Sequence, residues 1–197
     1  CIRDRNKGKL VPTRDLIKTP EQIEGIRESA KINTAVLDHV AANIREGMST
    51  EDINTLVYDF TVAHGAIPAP LNYEGFPKSV CTSINEEVCH GIPDKNIILR
   101  SGDIINVDVS TIYNGYFSDA SRMFMIGEVA EDRQKLVRVT KECLEKGKKY
   151  FSVASGGGTG RTLHPDNMAA GPASYGMTDT LGPVSYTHLT LPTILRV

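Results

Sequence analysis

Residues 103–126, DIINVDVSTIYNGYFSDASRMFMI, leave little choice of local structure. The first arm, Ile104 to Ile112, is rich in Ile, Val and Thr, and Asp108 sits in its middle. The second arm, Tyr116 to Ile126, carries Asp119, and Asn114-Gly115 lies between the two. Asn-Gly between β-prone runs is the strongest short hairpin signal, because both central residues of a type I′ turn need positive φ. Centring the turn there pairs Tyr113 with Tyr116, Ser110 with Asp119, and Asp108 with Ser121. Residues two apart on a strand share a face, as do directly paired residues. Asp108, Ser110 and Asp119 are therefore expected on one face, with the carboxylates on a diagonal of roughly 7 Å. Their side chains can converge towards the roughly 3.5–4 Å spacing of a two-metal site. Asp is a poor strand residue, and two on one face repel unless a cation lies between them. The plainer alternative is a solvated sheet face.

Around this hairpin the chain reads as α+β. Thr19-Pro20-Glu21-Gln22 opens a first helix with a capping box and Pro at its first position. Its apolar stripe is Ile23, Ile26, Ala30, Leu37, Val40, Ala41 and Ile44, and Gly47 is expected to end it. Ser49 and Asp52 cap a second helix whose buried face is Ile53, Leu56, Val57 and Phe60, with Gly65 as its stop. His39 and His64 on these helices read as ordinary surface or hydrogen-bonded histidines. Pro68, Pro70 and Pro77 exclude helix from residues 66–79 and favour a shaped loop. Ser79 to Ile84 and Glu87 to Cys89 read as short strands joined at Asn85-Glu86, with His90-Gly91-Ile92-Pro93 as a turn. Ile97 to Leu99 is a further short apolar segment. A third amphipathic helix is expected over Glu131 to Gly147, with Leu136, Val137, Thr140, Cys143 and Leu144 on one face.

A chain of 197 residues with 40% hydrophobic content is long enough for one domain with a real core. The net charge of −2 gives no global reason to expect nucleic acid or membrane as partner. Cys1, Cys81, Cys89 and Cys143 form no CxxC pair, which fits reduced thiols in a cytoplasmic setting. The last three read as small core or pocket residues. Residues 1–18 form a basic arm, with Arg3, Arg5, Lys7, Lys9, Arg14 and Lys18 against Asp4 and Asp15. Residues 151–197 carry only Arg161, Asp166, Asp179 and Arg196 as charged groups, and no helical or strand period is legible there. GGGTGRT within this tail fails the phosphate-loop pattern, because Ser155 stands for the first Gly and Arg161 for the Lys.

The segment YEGFPKSVCTSINEEVCHGIP (73–93), then SGDIINVDVS, then YNGYFSDASRMF, resembles the type I, bacterial-like methionine aminopeptidases, over roughly residues 15–147. The resemblance implies a pita-bread fold: two αβ halves related by pseudo-twofold symmetry, of which residues 19–150 would form the N-terminal one, an antiparallel sheet with covering helices. It implies two divalent metal ions (Co, Mn, Fe or Zn) between the halves, with Asp108 and Asp119 as ligands. It places His90 beside the metals, where it would contact substrate or its tetrahedral intermediate. Tyr73, Phe76 and Cys81 match positions lining the pocket for the methionine side chain, where sulfur and aromatic edges suit a thioether. The implied reaction removes the initiator methionine from nascent polypeptides, in the cytoplasm and as a monomer if the chain is complete.

The family's other ligands, one His in a GHGIG-like segment and two Glu, are not found. His164 and His188 lack those neighbours, and no Glu follows Glu145. The expectation is a chain truncated after the first half, with residues 151–197 foreign to the fold and activity weak or absent. Two alternatives share the scaffold. One is an Xaa-Pro aminopeptidase or prolidase, against which PKSVCTSINEEVCHGIP argues. The other is a non-catalytic binding module, against which the presence of Asp108, Asp119 and His90 argues. The basic arm reads as a tail, or as an electrostatic contact with RNA, for instance at a ribosome. The RNA reading predicts that deleting residues 1–18 lowers co-sedimentation with ribosomes at low salt. Unchanged sedimentation would exclude it.

Overall fold

A computed structural model of the chain describes residues 18–156, with side chains as far as Gly147. The elements in chain order are helix α1 (Pro20–Asn43), helix α2 (Thr50–Ala63), strand β1 (Ile67–Pro68) and a short 3-10 turn (Tyr73–Gly75). Strands β2 (Cys81–Ile84), β3 (Ile104–Tyr113) and β4 (Tyr116–Met125) and helix α3 (Glu131–Gly156) follow. Strand β3 is central: β4 pairs along one side of it, β1 and β2 along the other, and every pairing is antiparallel.

The hairpin register is the one the Asn-Gly turn dictates. Tyr113 pairs with Tyr116, Ser110 with Asp119 and Asp108 with Ser121. Asn114 and Gly115 take φ of 50° and 81°, the positive values a type I′ turn requires. The odd-numbered residues of β3 form the inner face. Ile105, Val107 and Val109 are buried there with Ala120 of β4, against Val36, Leu37 and Val40 of α1 and Ile53 and Val57 of α2. Each fully buried Val or Ile contributes about 1.5–3 kcal/mol relative to exposure.

Both helices begin at reciprocal capping boxes, Thr19 with Gln22 and Ser49 with Asp52. The buried line of α1 departs from the apolar stripe. Ala41 is exposed, whereas Ser29 and Asn33 are buried. These two polar residues bind the sheet. Ser29 Oγ hydrogen-bonds Thr111 O (3.1 Å) and shares a hydrogen with Ser118 Oγ (2.8 Å). Asn33 Nδ2 donates to Val109 O (3.0 Å), and Asn33 Oδ1 accepts from Thr111 Oγ1 (2.7 Å). Further along, Arg122 of β4 donates to Leu37 O and pairs with Asp38 at 2.9 Å. A helical-wheel count sees only apolar residues, so it could not weigh partners supplied by a strand far along the chain.

Four expectations need correction. Helix α1 stops at Asn43 rather than at Gly47. Glu87–Cys89 is not a strand, and β2 begins at Cys81 rather than Ser79. Asn85, at φ 53°, turns the chain away, and Glu87 Oε2 accepts from Ile84 N, closing the strand end. The backbone N–H of Ser79 is given to Asn54 Oδ1 instead of a ladder. Helix α3 runs on to Gly156, past residue 151, where no helical period is legible. Its apolar residues are covered only in part among the described residues: Val137 and Leu144 are half-buried, Leu136 is 58% exposed, and Val139 and Cys143 are exposed. Most of the basic arm and residues 157–197, with His164 and His188, lie outside the described residues. His39 and His64 both stack on the ring of Phe60, with centroids 4.7 and 4.1 Å away.

The buried α1–β3 network gives a stability test. Replacing Asn33 by Ala strips a partner from Val109 O and Thr111 Oγ1 in a dry interface and should cost about 1–3 kcal/mol. Urea unfolding of N33A beside the parent chain measures this.

Candidate metal centre and substrate face

Side chains alternate across a strand, so the face of β3 turned away from the helices carries its even-numbered residues. Register then lays out rows across the sheet. Ile67, Ile112 and Phe117 form an apolar row at one end. Ser110 and Asp119 come next, then Cys81, Asp108 and Ser121, then Ser83, Asn106 and Met123. Ile104 and Met125 close the other end. Phe117 is 63% exposed, so no described element covers this face at the turn end. The result is a sheet face with apolar ends and a polar, acidic middle, open at the turn end and buried at Cys81, Ser83 and Ile104.

Within it the two carboxylates lie in adjacent rows, half-buried. Ser110 Oγ donates to Asp119 Oδ1 at 2.6 Å and fixes the rotamer of that carboxylate. Cys81 is buried directly beside Asp108 on the neighbouring strand. Burial, then the negative charge of Asp108 and of Asp119, then Cys89, push its thiol up to about 12. It is thus a neutral, space-filling group at working pH. Cys89 and Cys143 are exposed, so the reading of all three cysteines as core or pocket residues holds only for Cys81. Cys89 stands on the irregular loop that follows β2, and Cys143 on the partly covered helix α3.

His90 stands on the loop after β2, exposed, with φ of 57°. That left-handed region admits His, Asn and Asp more readily than other non-glycine residues. Its neighbour Gly91 ties the loop to β2. Thr82 N donates to Gly91 O at 2.9 Å, and Gly91 N donates to Ser83 Oγ at 3.2 Å. A Cβ at Gly91 would lie 2.0 Å from Thr82 O, so only glycine permits this approach. Tyr73 is 68% exposed and Phe76 is half-buried, both on the loop ahead of β2. The sheet brings Asp108, Asp119 and Cys81 together, while His90, Tyr73 and Phe76 stand on the two loops that flank β2. Among the described residues no group of three or more His, Cys, Asp or Glu is placed to hold a metal ion. Asn106, in the row beside Asp108, was missed by the sequence reading. Its amide oxygen is buried and has no hydrogen-bond partner among the described residues. Its place two residues before Asp108 was the available signal.

The donor set fits one wall of a divalent-cation site. Two carboxylates on one open face are the oxygen ligands that such ions take, and Ser110 orients one of them from behind. Comparison with known proteins gives this face its context. The profile of metallopeptidase family M24 matches residues 24–166. The chain belongs to that family. The M24 match runs past residue 150, into the segment that composition sets apart. Methionine aminopeptidase A of Synechocystis is 50% identical to this M24 chain over 126 residues, 64% of this chain and 50% of the relative. The crystal structure of methionine aminopeptidase from Rickettsia prowazekii is 43% identical, with a TM-score of 0.65 over 66% of this chain and 52% of that one. Prolidase from Pyrococcus furiosus, at 21% identity and a TM-score of 0.55, shares the fold alone. The fold is thus the pita-bread one, represented over about two thirds of this chain. The chain spans about half the length of the curated relatives it matches. Family membership implies use of divalent metal. No helix among the described residues is long and apolar enough to cross a membrane.

The raised thiol of Cys81 has a direct consequence. At pH 8 its thiolate fraction should be at least roughly a hundredfold below that of an ordinary cysteine. Iodoacetamide at pH 8, followed by peptide mass analysis, should label Cys89 and Cys143 in minutes and leave Cys81 unmodified until the chain is denatured. The folded form disfavours the thiolate, so this group's contribution to stability is intact below the unfolded pKa near 9 and is lost as pH rises towards about 12.

Proposed function

We propose that this face is the metal-binding wall of a methionine aminopeptidase, which removes the initiator methionine from nascent polypeptides. The observation that carries the reading is the pairing of Ser110 with Asp119 one row from Asp108, beside Cys81, in a chain 43–50% identical to enzymes of that name. Asp108 and Asp119 hold divalent metal, two ions in the complete site. Bound there, the metal supplies Lewis acidity and an activated water. Ser110 keeps Asp119 turned towards the open face. His90, on its tethered turn, hydrogen-bonds the scissile peptide as charge develops on it. Tyr73, Phe76 and the neutral thiol of Cys81 take the methionine side chain, because a polarisable thioether gains from sulfur and aromatic neighbours. A free chain end is selected because the substrate's amino group would bind near the metal. The action is cytoplasmic, and the substrates are the N-termini of new chains.

Among the described residues no third His, Cys, Asp or Glu is placed with Asp108 and Asp119; two carboxylates make an incomplete shell, so this set binds metal weakly and supports slow turnover or none. The prolidase-type alternative rests on likenesses of 20–24% identity, which speak for the fold only. Two measurements test the reading. Calorimetric titration with Mn²⁺ should show weak uptake that disappears in Asp119→Asn. With Mn²⁺ or Co²⁺ in excess, any methionine release should come from Met-Ala peptides rather than Xaa-Pro peptides and fall at least tenfold in Asp108→Asn. Metal uptake indifferent to Asp119 would overturn the assignment. Vigorous cleavage by the 197-residue chain would overturn the expectation of slow turnover.

A further inference from the structure

The two loops that carry the substrate-facing residues leave opposite ends of β2, yet both return to the same turn of α2. Ahead of β2, Ser79 N donates to Asn54 Oδ1 at 2.8 Å. Lys78 Nζ meets Glu51 Oε2 at 2.6 Å, and Asn54 Nδ2 donates to Glu51 Oε1 at 3.1 Å. After β2, the Thr50 hydroxyl serves one residue twice: it donates to Asp94 O (3.0 Å) and accepts from Asp94 N (2.8 Å). Thr50 N also donates to Ile97 O at 2.9 Å, and Ser49 bridges Ile98. Thr50 and Ser79 are 1% and 2% exposed, and the side-chain bonds they make to Asp94 and Asn54 are part-buried. From Pro70 to Phe76 the backbone bonds stay within the loop: Asn72 N to Phe76 O, Tyr73 N to Pro70 O and Phe76 N to Tyr73 O. Its backbone there has left-handed φ at Asn72, Glu74 and Gly75. A loop so constructed holds its internal shape and takes its orientation from its ends.

We propose that Asn54 and Thr50 are positioning residues for the substrate face: Asn54 sets the arm bearing Tyr73 and Phe76, and Thr50 sets the arm bearing His90. The first turn of α2 then fixes the separation of the side-chain pocket from the histidine. Its capping box holds that turn rigid, through Ser49 N and Oγ on Asp52 Oδ2 at 2.7 and 2.8 Å. The role assigned to these two arms rests on the aminopeptidase reading. The mechanical claim does not, so its test uses no turnover.

The test takes the whole 197-residue chain as Asn54→Ala, Thr50→Val and Thr50→Ser. Thr50→Val keeps shape and the Thr50 N–H to Ile97 while deleting both hydroxyl bonds, and Thr50→Ser restores the hydroxyl. Amide exchange read by mass spectrometry should rise about tenfold over residues 73–80 in Asn54→Ala and over 91–97 in Thr50→Val, each leaving the other arm and residues 104–125 unchanged. The imidazole resonances of His90 should move in Thr50→Val and return in Thr50→Ser, while those of His39 and His64 stay. A uniform rise across the hairpin and both arms would mean general loosening and would overturn the proposal. So would exchange within twofold of the parent in both arms, or a His90 signal that Thr50→Ser fails to restore. Metal uptake indifferent to Asp119 with these signatures intact would sink the aminopeptidase reading and leave the positioning claim standing.

Discussion

The register of β3 on β4 is the constraint on which everything else depends. Side chains alternate with a period of two, so a one-residue slip of β3 against β4 would put Asp108 and Asp119 on opposite faces and turn Val107 and Val109 to the open side. No intermediate arrangement exists. The Asn114-Gly115 turn sets the register locally, and the inner face enforces it from a distance, because only this register buries Ile105, Val107, Val109 and Ala120 together. A local signal and a non-local one agree on the same pairing, and such agreement gives a chain a single folded answer.

The helix α1 adds a second kind of enforcement. Apolar contact tolerates small shifts along a strand, whereas a hydrogen bond to a named carbonyl does not. Ser29 and Asn33 reach Thr111 O and Val109 O, and Thr111 Oγ1 returns to Asn33. A one-residue shift of the helix along β3 would leave these buried groups without partners, at about 1–3 kcal/mol each. The strand segment that carries Asp108 and Ser110 is thus held from behind by polar bonds with no tolerance for sliding. A site made of two carboxylates needs that rigidity, since like charges side by side push apart.

What the sequence made legible follows from range. The hairpin, both capping boxes and the same-face register of Asp108 and Asp119 are short-range facts, set by residues within a few positions or by one turn, and the structure places them as expected. The errors fall where the deciding partner is distant. Ala41 is apolar yet exposed, and Asn33 is polar yet buried, because the sheet supplies Asn33 with partners 76 and 78 residues away. Glu87–Cys89 has the composition of a strand end, but Asn85 and the Glu87 carboxylate close β2 first. Cys89 and Cys143 show that residue type alone does not decide burial. Asn106 was passed over because an amide in a strand has no local signature. Only the rows of the sheet reveal that it shares a face with the acids.

The two faces of the sheet therefore divide the work in a way that explains the odd composition of β3. Its odd positions, Ile105, Val107, Val109 and Thr111, answer to packing and to α1. Its even positions, Asn106, Asp108 and Ser110, make almost no contribution to the core. Strand propensity argues against Asn, Asp and Ser at those places, so their presence in an otherwise Ile- and Val-rich strand is not accounted for by folding. The inner face supplies enough stabilisation to hold an outer face that is unfavourable by itself. Chemistry and stability can then vary independently, because a side chain on one face does not touch the other. The same separation makes Thr50 and Asn54 informative. They lie on the stable side of the molecule, on α2, yet their bonds run to the loops at either end of β2. Through them the rigid core sets the geometry of the open face without contributing a side chain to it.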